Sequence, residues 1–173
     1  MRIIVLGAAG ATGRRVVAEA CCRGHDVTAA GRTAGPAIDQ VVDGRDAEAL
    51  ADAVRGHDAL AVATRVGPQA ATEVPVLTRT AARVADGLGV RLVVVGVEEA
   101  LTVPATGVRA LNDPGWVPPA IRPIARASVS QWEALRDQPG DCVLLAPAHC
   151  SPRRRSCRVG PWAATGSRAA SCP

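Results

Sequence analysis

Arg2-Ile3-Ile4-Val5-Leu6-Gly7-Ala8-Ala9-Gly10-Ala11-Thr12-Gly13 is the stretch on which the fold turns. Ile3 to Leu6 is an unbroken aliphatic run that ends in glycine, the pattern of a strand buried on both faces of a parallel sheet. Three glycines then recur at intervals of three. Helical spacing takes over at once, with Val16, Val17, Ala20 and Cys21 recurring over Ala11–Arg23 and Gly24 as the stop. A strand, a glycine turn and a helix start in that order suit a phosphate group. Gly7 lets the chain turn sharply out of the strand. Gly10 has no Cβ, so a pyrophosphate can approach the backbone. Gly13 lets the helix pack closely on the strand. The unpaired N–H groups and the positive dipole end of the helix favour an anion. The spacing is GxxGxxG, and the ligand it implies is a dinucleotide.

Outward from this stretch the chain alternates strand-like and helical segments. Strands are predicted at Asp26–Ala30, Gln40–Val42, Asp58–Ala63, Arg91–Val97 and Asp141–Ala146. Helices are predicted at Ala47–Arg55, with Asp46 as N-cap and Gly56 as stop, at Ala70–Leu88, with Val74, Leu77, Ala81 and Val84 on one face, and at Pro119–Arg136. Residues 98–118, rich in Pro and Gly, read as loop. Six strands joined by crossovers give an α/β, Rossmann-like doubly wound parallel sheet in three layers, of order 3-2-1-4-5-6, with the ligand at the carboxyl ends of strands one and four.

Composition removes several chemistries. The chain has 173 residues, 48% hydrophobic and 21% charged, a globular balance. It contains no Tyr, no Phe and no Lys; all 20 basic residues are Arg. Tyrosine acids, Schiff-base lysines and the P-loop lysine are therefore excluded, and so are the aromatic platforms of RNA-binding modules. The net charge of +4 is uneven: residues 147–173 carry five Arg and no acid. Nucleic-acid binding is accordingly not expected of the body, 1–147. None of the six Cys forms a CxxC pair, and no metal site is expected. The longest apolar run, Leu92 to Val97, is too short for a membrane span. With the N-terminus read as a strand rather than a signal peptide, a cytoplasmic location with reduced thiols is expected.

The glycine motif, Asp43 and the Leu92–Val95 run resemble the atypical short-chain dehydrogenase/reductase group, in its NAD(P)H-binding, NmrA-like branch. The resemblance covers about residues 1–147 and implies an NAD(P)-binding Rossmann domain, in a group that includes reductases and redox-sensing regulators. By position it makes Gly7, Ala9, Gly10, Ala11, Thr12 and Gly13 the phosphate loop. Arg32 matches a basic residue that contacts the NADP 2′-phosphate. The residues agree: Ala29-Ala30-Gly31-Arg32-Thr33 has no acid for a ribose diol, and a guanidinium suits a phosphate. A solvated loop arginine is the alternative. NADP(H) is thus expected in preference to NAD(H). Asp43 matches a residue beside the adenine amino group, with a turn-forming Asp ahead of Gly44 as the alternative. Ala63, Thr64 and Arg65 fall where the ribose and nicotinamide pass; Arg65 serves equally as a surface residue.

The sequence departs from the group in its chemistry. Gly96 stands in the usual serine region, and the Tyr-x-x-x-Lys pair is missing, so triad catalysis is impossible. Glu98, Glu99 and His149 are the remaining acid candidates, with solvated loop the favoured reading of the two glutamates. His25 and His57 read as turn residues remote from the site. Two functions stay open: an oxidoreductase-type protein that reduces a small conjugated acceptor, and a non-catalytic nucleotide-binding redox sensor that acts through a regulatory protein partner. Residues 148–173 break the pattern and read as an irregular, poorly ordered basic tail. Their loss of acids and Arg-Pro-Cys-Ser bias are what a shifted reading frame is expected to give, with a native tail as the alternative.

Overall fold

A computed structural model describes residues 1–64, 72–96 and 100–146. The strands are β1 (Arg2–Leu6), β2 (Asp26–Gly31), β3 (Gln40–Val41), β4 (Ala59–Val62), β5 (Arg91–Val95) and β6 (Cys142–Leu145). The helices are α1 (Ala11–Cys22), α2 (Ala47–Val54), α3 (Glu73–Leu88) and α4 (Arg122–Arg136). All strand pairs are parallel, in the order β3-β2-β1-β4-β5-β6. The expected Rossmann-like architecture is the observed one.

Alternation along the central strands sends residues to two cores. Ile4, Leu6, Leu60, Val62, Leu92 and Val94 are buried on one face. They pack with Leu50 and Val54 of α2, Leu77 and Ala81 of α3, and Leu135 of α4. Val5, Ala29 and Ala61 point the other way, toward half-buried Val16 and Val17 of α1. Three helices therefore lie on one face and α1 on the other. On the α1 side the register aligns Val93 with Val143 and Val95 with Leu145. Val143 and Leu145, on edge strand β6, are 40% and 52% exposed, because α1 reaches only the far half of the sheet.

Several boundaries differ from the sequence reading. Cys21 is exposed, so the buried stripe of α1 is narrower than Val16, Val17, Ala20 and Cys21. The α3 helix starts at Glu73, which puts Pro75 in the first turn, where its missing N–H costs no bond. The last predicted helix opens as a short 3-10 turn, Pro119–Ile121, before α4. The loop before it holds a bridge between Thr102 and Arg109 and a second 3-10 turn, Ala110–Asn112. Asp46 caps α2 as expected, its Oδ1 accepting from the N–H groups of Glu48 and Ala49 at 3.0 and 3.1 Å. No described helix is long and apolar enough to cross a membrane.

Candidate functional site

The glycine loop sits at the carboxyl end of β1, between β2 and β4. The N–H groups of Gly7 and Ala8 both donate to Ala30 O, and Gly10 N–H donates back to Gly7 O at 3.0 Å. Gly7 has φ +87°, and a Cβ there would stand 2.8 Å from Ala63 O. Gly13 is more constrained still: a Cβ would lie 2.1 Å from Gly7 O. The first turn of α1 thus rests directly on the loop that precedes it.

Helix α1 begins with Gly10 as N-cap, at φ −72° and ψ 163°. Gly10 offers no side-chain acceptor, and the first turn carries no acid. The N–H groups that every helix leaves unpaired at its start are therefore not neutralised by side chains here. At α2, by contrast, Asp46 and Glu48 supply both the cap and the acid.

Beside this helix start lies a cavity of about 190 Å³. Gly7, Gly10, Arg32, Asp43, Ala63 and Thr64, all site residues expected from the sequence, line it. Gly31, Arg45, Glu73, Val74 and Leu77 are the other described residues that line it. Ala9, Ala11 and Thr12 do not line it; Ala9 and Thr12 are exposed, and Gly13 is buried beneath the loop. Arg65, Glu98, Glu99 and His149 lie outside the described residues. Thr64 Oγ1 is buried and has no hydrogen-bond partner among the described residues. His57 is far from this end: its ring bridges Thr28 Oγ1 and Val54 O, near the start of β4. Gly96 is filled against by Leu144, whose terminal carbons stand 2.8–2.9 Å from where a Cβ would be. A serine could not enter that position without moving this neighbour.

Sequence reasoning missed the ionic cluster at the rim. Asp43 Oδ1 accepts the Arg45 N–H at 3.0 Å, a turn contact, and Asp43 Oδ2 takes Arg45 Nη2 at 2.6 Å. The Arg45 side chain, donating to this carboxyl, holds it down at about 2, so Asp43 is charged at any ordinary pH. Arg45 Nη1 reaches Glu73 Oε1 at 2.7 Å. Arg32 Nη1 stands 3.8 Å from the other oxygen, Glu73 Oε2. The local signals were weak: Arg45 follows a turn-forming Asp, and Glu73 looks like an ordinary first-turn acid. Val74 and Leu77 were legible only as the core face of α3.

Comparison with protein families matches residues 7–159 to an NAD(P)H-binding family. The chain belongs to that family. It is of the atypical short-chain dehydrogenase/reductase type, the resemblance carried by its glycine loop and sheet order. Among solved structures, it is similar to a candidate NADH-flavin reductase of Streptococcus pneumoniae TIGR4. That match has 26% identity and a TM-score of 0.73, and covers 85% of this chain and 71% of the other. It is similar also to a protein of Burkholderia pseudomallei described as exported, at 32% identity and a TM-score of 0.70, covering 82% and 69%. A short-chain dehydrogenase/reductase superfamily protein from Agrobacterium tumefaciens, crystallised with bound NAD, shares the fold. Its identity is 22% and its TM-score 0.62, with 84% of this chain and 48% of that one covered. No curated protein gives a significant match.

Proposed function

We propose that this protein binds NADP(H) in preference to NAD(H) and reduces a small conjugated acceptor such as a quinone or flavin. The observation that carries the cofactor choice is Arg32. It lines the cavity at the end of β2, where an acid would be needed to hold a ribose diol, and Gly31-Arg32-Thr33 contains none. The residues present fit a dinucleotide. Gly10 has no side chain where one would project, and among the described residues a Cβ there would meet Gly7 O at 3.2 Å and Ala63 O at 3.9 Å. Thr64 brings a buried hydroxyl that has no described partner. A cavity of about 190 Å³ is below the range of roughly 300–1,000 Å³ typical of whole-ligand sites, so it suits one half of a dinucleotide.

In this reading Gly7, Gly10 and the start of α1 hold the pyrophosphate, Arg32 takes the 2′-phosphate, and Val74 and Leu77 give apolar surface to the adenine. Ala63 and Thr64 continue toward the ribose and nicotinamide. The cofactor, when bound, supplies hydride. The protein's own tasks are to orient the acceptor and exclude water, since no phenol or lysine ammonium exists in the chain to deliver a proton. An acceptor whose reduced form is stable as an anion needs no matched acid, whereas a ketone does. The absence of Tyr and Lys also favours a second reading, a non-catalytic redox sensor that reports the cofactor state to a protein partner.

Calorimetric titration of NADPH and NADH into wild type and Arg32→Ala tests the first claim. The loss must be confined to the phosphorylated cofactor; equal loss for both removes the assignment. NADPH oxidation with quinone and flavin acceptors then separates the two readings. Tight binding with no turnover on any of them removes the quinone or flavin reductase reading and favours the sensor.

A further inference from the structure

We propose that Glu73 is a built-in competitor for the 2′-phosphate and sets the degree of NADP(H) preference. The inference rests on the Arg32 reading above. The carboxylate of Glu73 divides itself between the two guanidiniums of the rim, one oxygen 2.7 Å from Arg45 Nη1 and the other 3.8 Å from Arg32 Nη1. It comes from α3, while Arg32 and Arg45 come from the loops after β2 and β3, so three separate elements converge on one anion position. A protein carboxylate already stands where a phosphate would find both cations.

The consequence follows from charge. Among the described cavity-lining residues, Arg32 and Arg45 are offset by Asp43 and Glu73. Asp43 belongs to its own loop: it accepts Arg45 through backbone and side chain together, and it has no ion pair with Arg32 among the described residues. Glu73 has no such backbone tie in the cluster. Its bonds are ion pairs at a partly exposed surface, which are weak and exchange readily. Glu73 is therefore the member that yields when a dianion arrives. Displacing it costs the two pairs and leaves a carboxylate beside the phosphate. A 2′-hydroxyl has no need to displace it. Arg32 raises the preference for the phosphorylated cofactor, and Glu73 lowers it.

The test uses adenosine 2′-monophosphate and adenosine 5′-monophosphate as probes, alongside NADP and NAD, titrated calorimetrically into wild type, Glu73→Gln, Glu73→Asp and Arg32→Ala at one fixed salt concentration. Glu73→Gln should bind the 2′-phosphate probe and NADP about five-fold more tightly, the scale of two exposed ion pairs released. The 5′-phosphate probe and NAD should change less than two-fold. Glu73→Asp, a shorter acid at the same helix start, should stay near wild type. Urea denaturation of each variant identifies any that lost the fold, and Glu73→Ala, which also removes the carboxylate and should show the same selective gain, carries the comparison if the Gln variant does. Unchanged 2′-phosphate affinity in Glu73→Gln overturns the inference. Selective weakening of NAD also overturns it, because Glu73 would then be holding the ribose hydroxyls. The two proposals fail separately. A selective loss in Arg32→Ala with no gain in Glu73→Gln removes only the competitor. A gain in Glu73→Gln without selective loss in Arg32→Ala removes only the Arg32 assignment and leaves Arg45 as the cation.

Discussion

Replacing Gly13 with Ala in α1 should destabilise the protein, although Ala is the better helix former. The new Cβ would stand 2.1 Å from Gly7 O and 2.8 Å from both Gly7 C and Ala8 Cα. The first distance is more than an ångström inside ordinary contact, and all three atoms are backbone, which cannot swing aside. Relief requires α1 to lift off the β1 loop. Overpacking of this kind costs about 1–3 kcal/mol, and the rigidity of the neighbours puts it at the upper end. The gain in helix propensity returns about 1 kcal/mol, for a net loss of about 2 kcal/mol. For a chain of this size that lowers Tm by about 4–8 °C. Gly87 is the internal control. It lies in α3, is exposed, and has nothing within 4 Å of a Cβ. Gly87→Ala should stabilise by about 0.5 kcal/mol through the same propensity term. Urea titration with a common m-value compares the two directly. If Gly13→Ala matches wild type, or if both variants lose stability equally, the close seating of helix on loop is not what the glycine provides.

Gly10→Val keeps a permitted backbone conformation but fills the ligand side of the loop, so dinucleotide binding measured by calorimetry should fall at least a hundred-fold while a cooperative urea transition persists, its midpoint lowered by the Cβ 3.2 Å from Gly7 O and the poorer N-cap; retained affinity would place the ligand elsewhere. Asp43 has its carboxyl lowered from 3.8 to about 2 by the Arg45 side chain, so its contribution is complete above pH 4 and disappears as pH falls from about 4 toward 2; Asp43→Asn should flatten the stability–pH curve in that window and nowhere above it. Unactivated ketones should not be reduced; a robust rate that titrates on an enzyme group near neutral pH would reveal a proton donor, with His149 and Glu98 the first positions to mutate.

The backbone of this protein was legible from its sequence wherever one physical signal ruled a whole segment. The aliphatic run of β1, the glycine turn and the helix start of α1 agree with one another, and Asp46 caps α2 where an Asp precedes a helical period. Val74, Leu77 and Ala81 mark the buried face of α3 because apolar residues at helical spacing have one place to go. Boundaries were less legible. Pro75 sits near the start of a helix that polar and small residues before it would tolerate equally, and Cys21 continues a helical spacing that α1 does not use.

The sequence by itself therefore determined the doubly wound sheet, the glycine loop and the position of Arg32 at its rim. Only the tertiary structure decided what Arg32 faces. Arg45 and Glu73 lie 28 residues apart, and each has an adequate local explanation as a turn residue or a helix-start acid. Their convergence exists because parallel strands joined by crossovers deliver the ends of β2 and β3 and the start of α3 to the same edge of the sheet. Periodicity reports which way a side chain points along its own element. It carries no information about which charged residues from three different elements will share one anion position, because that is fixed by the packing of the elements and not by the pattern within any of them.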